Sequence, residues 1–161
     1  MFGGSDFSAP TREAFAGAPP RVLIVEARFY GAIADELAAG AQAAIAAVGG
    51  TAVRVAVPGA FEIPGAIAMA AAAKPFDAYV ALGCVIRGET THYDYVCGES
   101  ARGLQDLAVH KGLAIGYGIL TVENEAQAWA RAKRDQGNKG ADAANAALAM
   151  AAFKRSLGAS S

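Results

Sequence analysis

The chain has 161 residues, of which 54% are hydrophobic and 18% charged, against about 25% charged in an average soluble domain. That length suits one domain with a full core. Net charge is −1, the pI is about 6.1 and no block of like charges occurs, which argues against nucleic acid or an anionic membrane as a partner. Mean hydropathy is +0.27, yet no wholly apolar run is longer than that of residues 66–73, far short of the ~20 needed to span a bilayer. The surplus apolar surface is therefore expected to meet another copy of the chain.

Residues 1–20 are rich in Gly, Ser, Ala and Pro and read as a flexible N-terminal arm; residues 21–161 read as one domain. No basic segment followed by an apolar stretch opens the chain, which argues against export and for a cytoplasmic protein. Val22–Val25 is a continuous apolar run, the mark of a strand covered on both faces. Gly31–Val48 carries helical spacing and stops at Gly49-Gly50. Ala52–Val57 is a second strand ended by Pro58-Gly59, followed by a helix from about Ile63 to Ala73 with Pro64 tolerated in its first turn. Lys74-Pro75 breaks the chain before a third strand, Ala78–Ile86.

The stretch Leu82–Gly98 is the most informative. Its strand breaks at Arg87-Gly88 and restarts as a helix near Thr90 or Thr91, offering free backbone N–H groups and a positive dipole end. Tyr93, Val96, Cys97, Ser100, Ala101, Leu104, Leu107 and Ala108 share one helical stripe. Leu113–Val122 is the fourth strand. Asn124 and Gln127 form a capping pair for a short helix through Ala132. A polar loop, 133–138, leads to a last helix from about Gly140 to Leu157. That helix carries two apolar stripes: Ala144, Leu148 and Ala151, then Met150, Phe153 and Leu157.

Strand and helix alternate throughout. This predicts an α/β fold, a three-layer αβα sandwich around a flavodoxin-like four-stranded parallel sheet. Ligands in such sheets bind beyond the carboxyl ends of the strands, where the loops collect Arg28-Phe29-Tyr30, Pro58 to Glu62, the turn before His92, and Glu123-Asn124. Phe29 and Phe61 either fold back on the core or flank a flat ring. Glu62 either complements a helix dipole or reads ligand hydroxyls. Thr90 and Thr91 are caps first. His92 is the one imidazole on this rim, either a solvent-facing residue or a proton-transfer group, since imidazoles exchange protons near neutrality. His110 suits the negative end of its helix. Cys84 and Cys97 fit no metal spacing and no disulfide framework, so reduced, buried thiols are expected. There is no phosphate-binding GxxxxGK[ST] loop, no complete dinucleotide fingerprint and no clustered metal-ligand spacing.

Arg28-Phe29, Pro58-Gly-Ala-Phe-Glu-Ile-Pro64, Leu82 to Val96, Gly118-Ile-Leu-Thr121 and Gly137-Asn-Lys-Gly140, in that order, resemble the 6,7-dimethyl-8-ribityllumazine synthase family of riboflavin biosynthesis. The resemblance covers nearly the whole chain from Arg21. It implies condensation of 5-amino-6-(D-ribitylamino)uracil with 3,4-dihydroxy-2-butanone 4-phosphate, with neither metal nor organic cofactor. By the same resemblance Phe29 stacks on the pyrimidine. Ala60, Phe61 and Glu62 hold that substrate, with Glu62 on ribityl hydroxyls, and Cys84, Val85 and Ile86 contact the heterocycle largely through backbone. Glu89 and Thr90 flank the phosphate-bearing substrate, His92 transfers protons, and Arg131 clamps the phosphate. Tyr117 faces the ring, and it and Arg131 come from the adjacent subunit; Lys139 approaches the same site. The resemblance also implies a homopentamer or multiples of it, and riboflavin synthase as a candidate partner. A non-catalytic flavin- or lumazine-binding protein on the same scaffold is the alternative. Tyr117 stands where the family usually has phenylalanine, and Cys84 where threonine is common. The loop 132–137 lacks a glycine-rich form, which leaves pentamer, decamer and shell open.

Overall fold

The computed structural model describes residues 6–159. Nine main elements alternate as the sequence implies: β1 (Arg21–Ala27), α1 (Gly31–Ala47), β2 (Thr51–Val57), α2 (Ile63–Ala73), β3 (Ala78–Ile86), α3 (His92–Lys111), β4 (Ile115–Val122), α4 (Glu125–Ala132) and α5 (Lys139–Ala159). The strands form one parallel sheet in the order β2-β1-β3-β4. One layer packs α1, α4 and α5 on Val22, Ile24, Val80, Leu82, Leu120 and Val122. The opposite layer sets α2 and α3 on Leu23, Val25, Tyr79, Ala81 and Ile119. Alternate residues of each central strand feed opposite layers, which is why Val22–Val25 is apolar without a break. The α/β sandwich with a flavodoxin-like sheet is thus the fold observed.

Helix ends follow local chemistry. The Asn124 side chain accepts from the Gln127 N–H at 2.9 Å, while the Gln127 side chain accepts from the Glu123 N–H at 2.8 Å. The expected capping pair forms, reaching one residue further back than a standard capping box. Helix α3 closes at Gly112, whose φ of 64° is left-handed, the backbone a glycine adopts without a steric penalty. Its start differs from expectation. The helix begins at His92, and Thr91 makes no side-chain cap bond; instead the Thr90 hydroxyl accepts from the His92 N–H at 3.3 Å. The bend at Glu89 and Thr90 takes up the extra residues.

The N-terminal segment also differs in part. Residues 1–5 lie outside the described residues, and 6–14 are mostly exposed. Arg12–Phe15, however, form a turn of 3-10 helix that puts Phe15 into the core beside α1 and α5. Arg155 of α5 lies over the Phe15 ring and donates to the Ala18 carbonyl. One aromatic among small residues offers no periodicity to read, so composition alone suggested a loose arm. Of the two stripes on α5, Ala144, Leu148 and Ala151 are buried, while Met150, Phe153 and Leu157 are exposed.

Close backbone approach explains several glycines. A β-carbon on Gly116 of β4 would overlap the Ala143 carbonyl of α5, and one on Gly140 would overlap the Leu37 carbonyl of α1. Gly137 and Gly140 of the Gly137-Asn-Lys-Gly140 motif therefore serve packing. Gly116→Ala is expected to destabilise by about 2 kcal/mol through overpacking against fixed backbone. That lowers the melting temperature by about 4–8 °C, read by a thermal scan in circular dichroism.

Candidate active site

The sheet order reverses direction between β1 and β3, and in doubly wound sheets that switch point opens a crevice at the strands' carboxyl ends. A cleft of about 610 Å³ lies there, lined by Ala27, Phe29 and Tyr30 after β1, Gly59 to Glu62 after β2, Cys84 to Ile86 of β3, and His92, Tyr95 and Val96 of α3. Its walls come from four chain segments that the fold alone brings together.

The aromatic walls stand clear of the core. Phe29 is 79% exposed and Phe61 57%. Among the described residues the one ring packed against Phe29 is that of Tyr30, edge-on with centroids 4.9 Å apart. Neither ring has folded inward, and two solvated rings beside one cleft form faces for a flat ligand. Ala60 and Ile63 are buried beneath. Glu62 holds the N-cap position of α2 but its side chain makes no cap bond, so its carboxylate is free to meet a ligand from the cleft wall.

The floor is a strand edge. The β1–β3 ladder ends at Glu26 and Leu82, whereas the β3–β4 ladder runs on to Ile86 and Val122. Along 83–86, β3 has therefore no strand partner on its β1 side. Backbone N–H and C=O groups left at such an edge are obligatory hydrogen-bonding groups, and here they face the cleft. The Cys84 thiol is pushed up to about 11 by burial, helped by the negative charge of Glu125. It therefore stays protonated through the physiological range. Alkylation of Cys84 by iodoacetamide at pH 8 should run at least about tenfold slower than that of a free thiol, as followed by mass spectrometry of the modified peptide; equal rates would contradict that protonation state.

Arg87 leaves the end of β3 but is already engaged. Its guanidinium meets Glu123 at 2.9 Å and Asp94 at 3.6 Å, and lies 4.3 Å from the Tyr93 ring centroid. The Glu123 hydrogen bond holds Arg87 firmly in its cationic form. Two carboxylates neutralise the cation nearest the turn before α3.

Phe29, Ala60, Phe61, Glu62, Cys84, Val85, Ile86 and His92 meet in this cleft. Glu89 and Thr90 do not line it; they lie exposed in the turn joining Ile86 to His92, both of which do. Tyr117 and Arg131 stand elsewhere on the chain. Tyr117 sits mid-strand opposite Ala81 beside a separate cavity of about 320 Å³ against α3. Burial raises the Tyr117 pKa. Arg131 is exposed on α4 and donates to the Gln127 carbonyl at 3.0 Å. Lys139 pairs with Asp142 at 3.4 Å.

The family model described as 6,7-dimethyl-8-ribityllumazine synthase matches residues 19–155. The chain belongs to the lumazine synthase family. A lumazine synthase from Methylobacterium radiotolerans is 60% identical over 91% of this chain and 88% of its own. One from Bartonella henselae is 59% identical over 85% and 90%. A third, named 6,7-dimethyl-8-ribityllumazine synthase 1, from Rhizobium meliloti, is 57% identical over 88% and 95%. Within this lumazine synthase framework, sequence reasoning put Tyr30 on the rim without giving it a role, missed Tyr95 as a cleft residue and gave Val96 no role beyond its helical stripe. The available signal was spacing: Tyr95 and Val96 lie three and four residues after His92, on its face of the helix. No helix among the described residues is long and apolar enough to cross a membrane.

Proposed function

We propose that this chain condenses 5-amino-6-(D-ribitylamino)uracil with 3,4-dihydroxy-2-butanone 4-phosphate to 6,7-dimethyl-8-ribityllumazine, releasing phosphate and two waters. The observation that carries this reading is the meeting of two exposed aromatic rings, a carboxylate, a free strand edge and an imidazole in one cleft. Phe29 stacks on the pyrimidine, with Phe61 and Ala60 as its other walls. The unpaired edge of Cys84, Val85 and Ile86 offers a pyrimidinedione the donors and acceptors a neighbouring strand would supply. Cys84 therefore serves through its backbone, which is compatible with a thiol kept protonated. Glu62 accepts from ribityl hydroxyls. Glu89 and Thr90 flank the phosphate at the mouth of α3.

The reaction starts when the 5-amino group adds to the ketone and water leaves to give an imine. Loss of the C3 proton then expels phosphate from C4 to leave an enol, which tautomerises to a ketone at C3; the ribitylamino nitrogen closes the ring on that new ketone with loss of the second water. Each step moves a proton, which His92 at the cleft wall delivers and collects.

The phosphate needs a cation that this cleft does not offer, since Arg87 is held by Glu123 and Asp94. Arg131, exposed on α4 and away from the cleft, fits that need when supplied by an adjacent subunit, with Tyr117 entering from the same neighbour. This favours a homopentamer or a multiple of it, acting in the cytoplasm with riboflavin synthase as a candidate partner. The exposed stripe of Met150, Phe153 and Leu157 and the exposed Val53 and Val55 of edge strand β2 are surfaces that further chains can cover.

Purified protein mixed with both substrates should produce the absorbance and fluorescence of the lumazine well above the uncatalysed background. Binding of lumazine without turnover would instead favour the non-catalytic reading, to which the acid–base group His92 adds nothing.

A further inference from the structure

Among the described residues, Glu26 is the one buried acidic or basic side chain, 2% exposed in a strand that is otherwise apolar from Val22 onward. It lies near the carboxyl end of β1 on the α1 side of the sheet, and nothing in the reaction uses it. A carboxylate so removed from water persists only with charged partners, and Glu26 has two. Arg54 of β2 binds it through two nitrogens, Nε to Oε2 at 2.6 Å and Nη2 to Oε1 at 2.9 Å. Arg28 donates from Nη1 to Oε1 at 2.8 Å. The second arm of Arg28 reaches Asp35 of α1 at 2.7 Å.

Arg28 is thus a staple. It ties the segment leaving β1 both to the strand end, through Glu26, and to the first turns of α1, through Asp35. Phe29 follows directly, and its own side chain contributes little to holding it: the ring is 79% exposed and its aromatic neighbour is Tyr30. A ring so exposed keeps one position only if the backbone beside it is held. The fixed guanidinium of Arg28 provides that hold, and the bidentate Arg54 keeps Glu26 in the orientation Arg28 needs.

We propose that Glu26 is a positioning residue that sets the stacking wall of the cleft through Arg28. The inference rests on the reading of Phe29 as the pyrimidine wall. Glu26→Gln keeps the shape but turns an N–H toward the guanidinium donors, so the staple loosens. If Phe29 then spends about a tenth of its time in the binding position, the apparent KM for 5-amino-6-(D-ribitylamino)uracil rises about tenfold. The turnover number and the KM for 3,4-dihydroxy-2-butanone 4-phosphate should each stay within about twofold, because His92 and the phosphate turn are not held by this cluster.

Arg28→Met removes the staple while leaving the Glu26–Arg54 pair. It should raise the same KM and serves as the second variant should Glu26→Gln fail to fold. In a Phe29→Ala background, Glu26→Gln should add less than about a twofold change. A folded Glu26→Gln and a folded Arg28→Met that both leave the pyrimidine KM unchanged would overturn the proposal. Equal increases in both KM values, or an undiminished effect in the Phe29→Ala background, would do the same by pointing to general loosening. Failure of the underlying reading is separate: it appears as Phe29→Ala alone leaving the pyrimidine KM at its wild-type value.

Discussion

His92→Ala lowers the turnover number by about 100-fold and leaves measurable activity, the range expected for removing one general acid–base group. That factor corresponds to about 2.7 kcal/mol of barrier. The remaining machinery still holds the amine against the ketone, and orientation of this kind can supply about 7–11 kcal/mol. The rings of Phe29 and Phe61, Glu62 and the β3 edge are unaffected by the substitution, so KM for the pyrimidine should change little. Steady-state rates at saturating concentrations of both substrates measure this. A variant with the wild-type turnover number would remove His92 from proton transfer.

Arg131→Ala acts on the other substrate. A guanidinium facing a phosphate makes charge-assisted, forked hydrogen bonds, and losing them should raise the apparent KM for 3,4-dihydroxy-2-butanone 4-phosphate by about 30–100-fold, or about 2–3 kcal/mol. The pyrimidine KM should hold. An unchanged phosphate KM would end the clamp assignment. The two variants together test whether the site is shared. If Arg131 enters from a neighbour, co-assembling His92→Ala and Arg131→Ala subunits restores sites in which one chain gives His92 and the next gives Arg131. With random mixing around a ring of head-to-tail contacts, about a quarter of sites are whole. A mixture no more active than the sum of its parts would place both residues on one chain.

Legibility depended on how local the determinants were. Pro58-Gly59 and Lys74-Pro75 punctuate the chain, so α2 and β3 were readable to the residue. The start of α3 was not, because Thr90 and Thr91 are equally good caps on paper and only the turn's geometry decides that Thr90 accepts from His92. Glu26 in an apolar strand was invisible as a feature, since its partner Arg54 sits on another strand, side by side only once β1 and β2 are paired. The cleft residues Phe29, Phe61, Glu62 and His92 were found because loops after parallel strands must share one rim. The short floor of β3 depends on β1 stopping early, and strand length against a neighbour is a tertiary property.

Arg155 has a consequence for how the molecule opens. It donates to the Ala18 carbonyl, lies over Phe15 and reaches Asp77 at 3.5 Å, while Asp77 accepts from the Arg21 N–H at 2.7 Å. The last turns of α5, the segment before β1 and the entry to β3 therefore share one set of contacts. Such a group unfolds as a cooperative unit rather than fraying separately. In native-state hydrogen exchange, the described amides around 14–18 and 153–157 should become exposed at one common denaturant dependence.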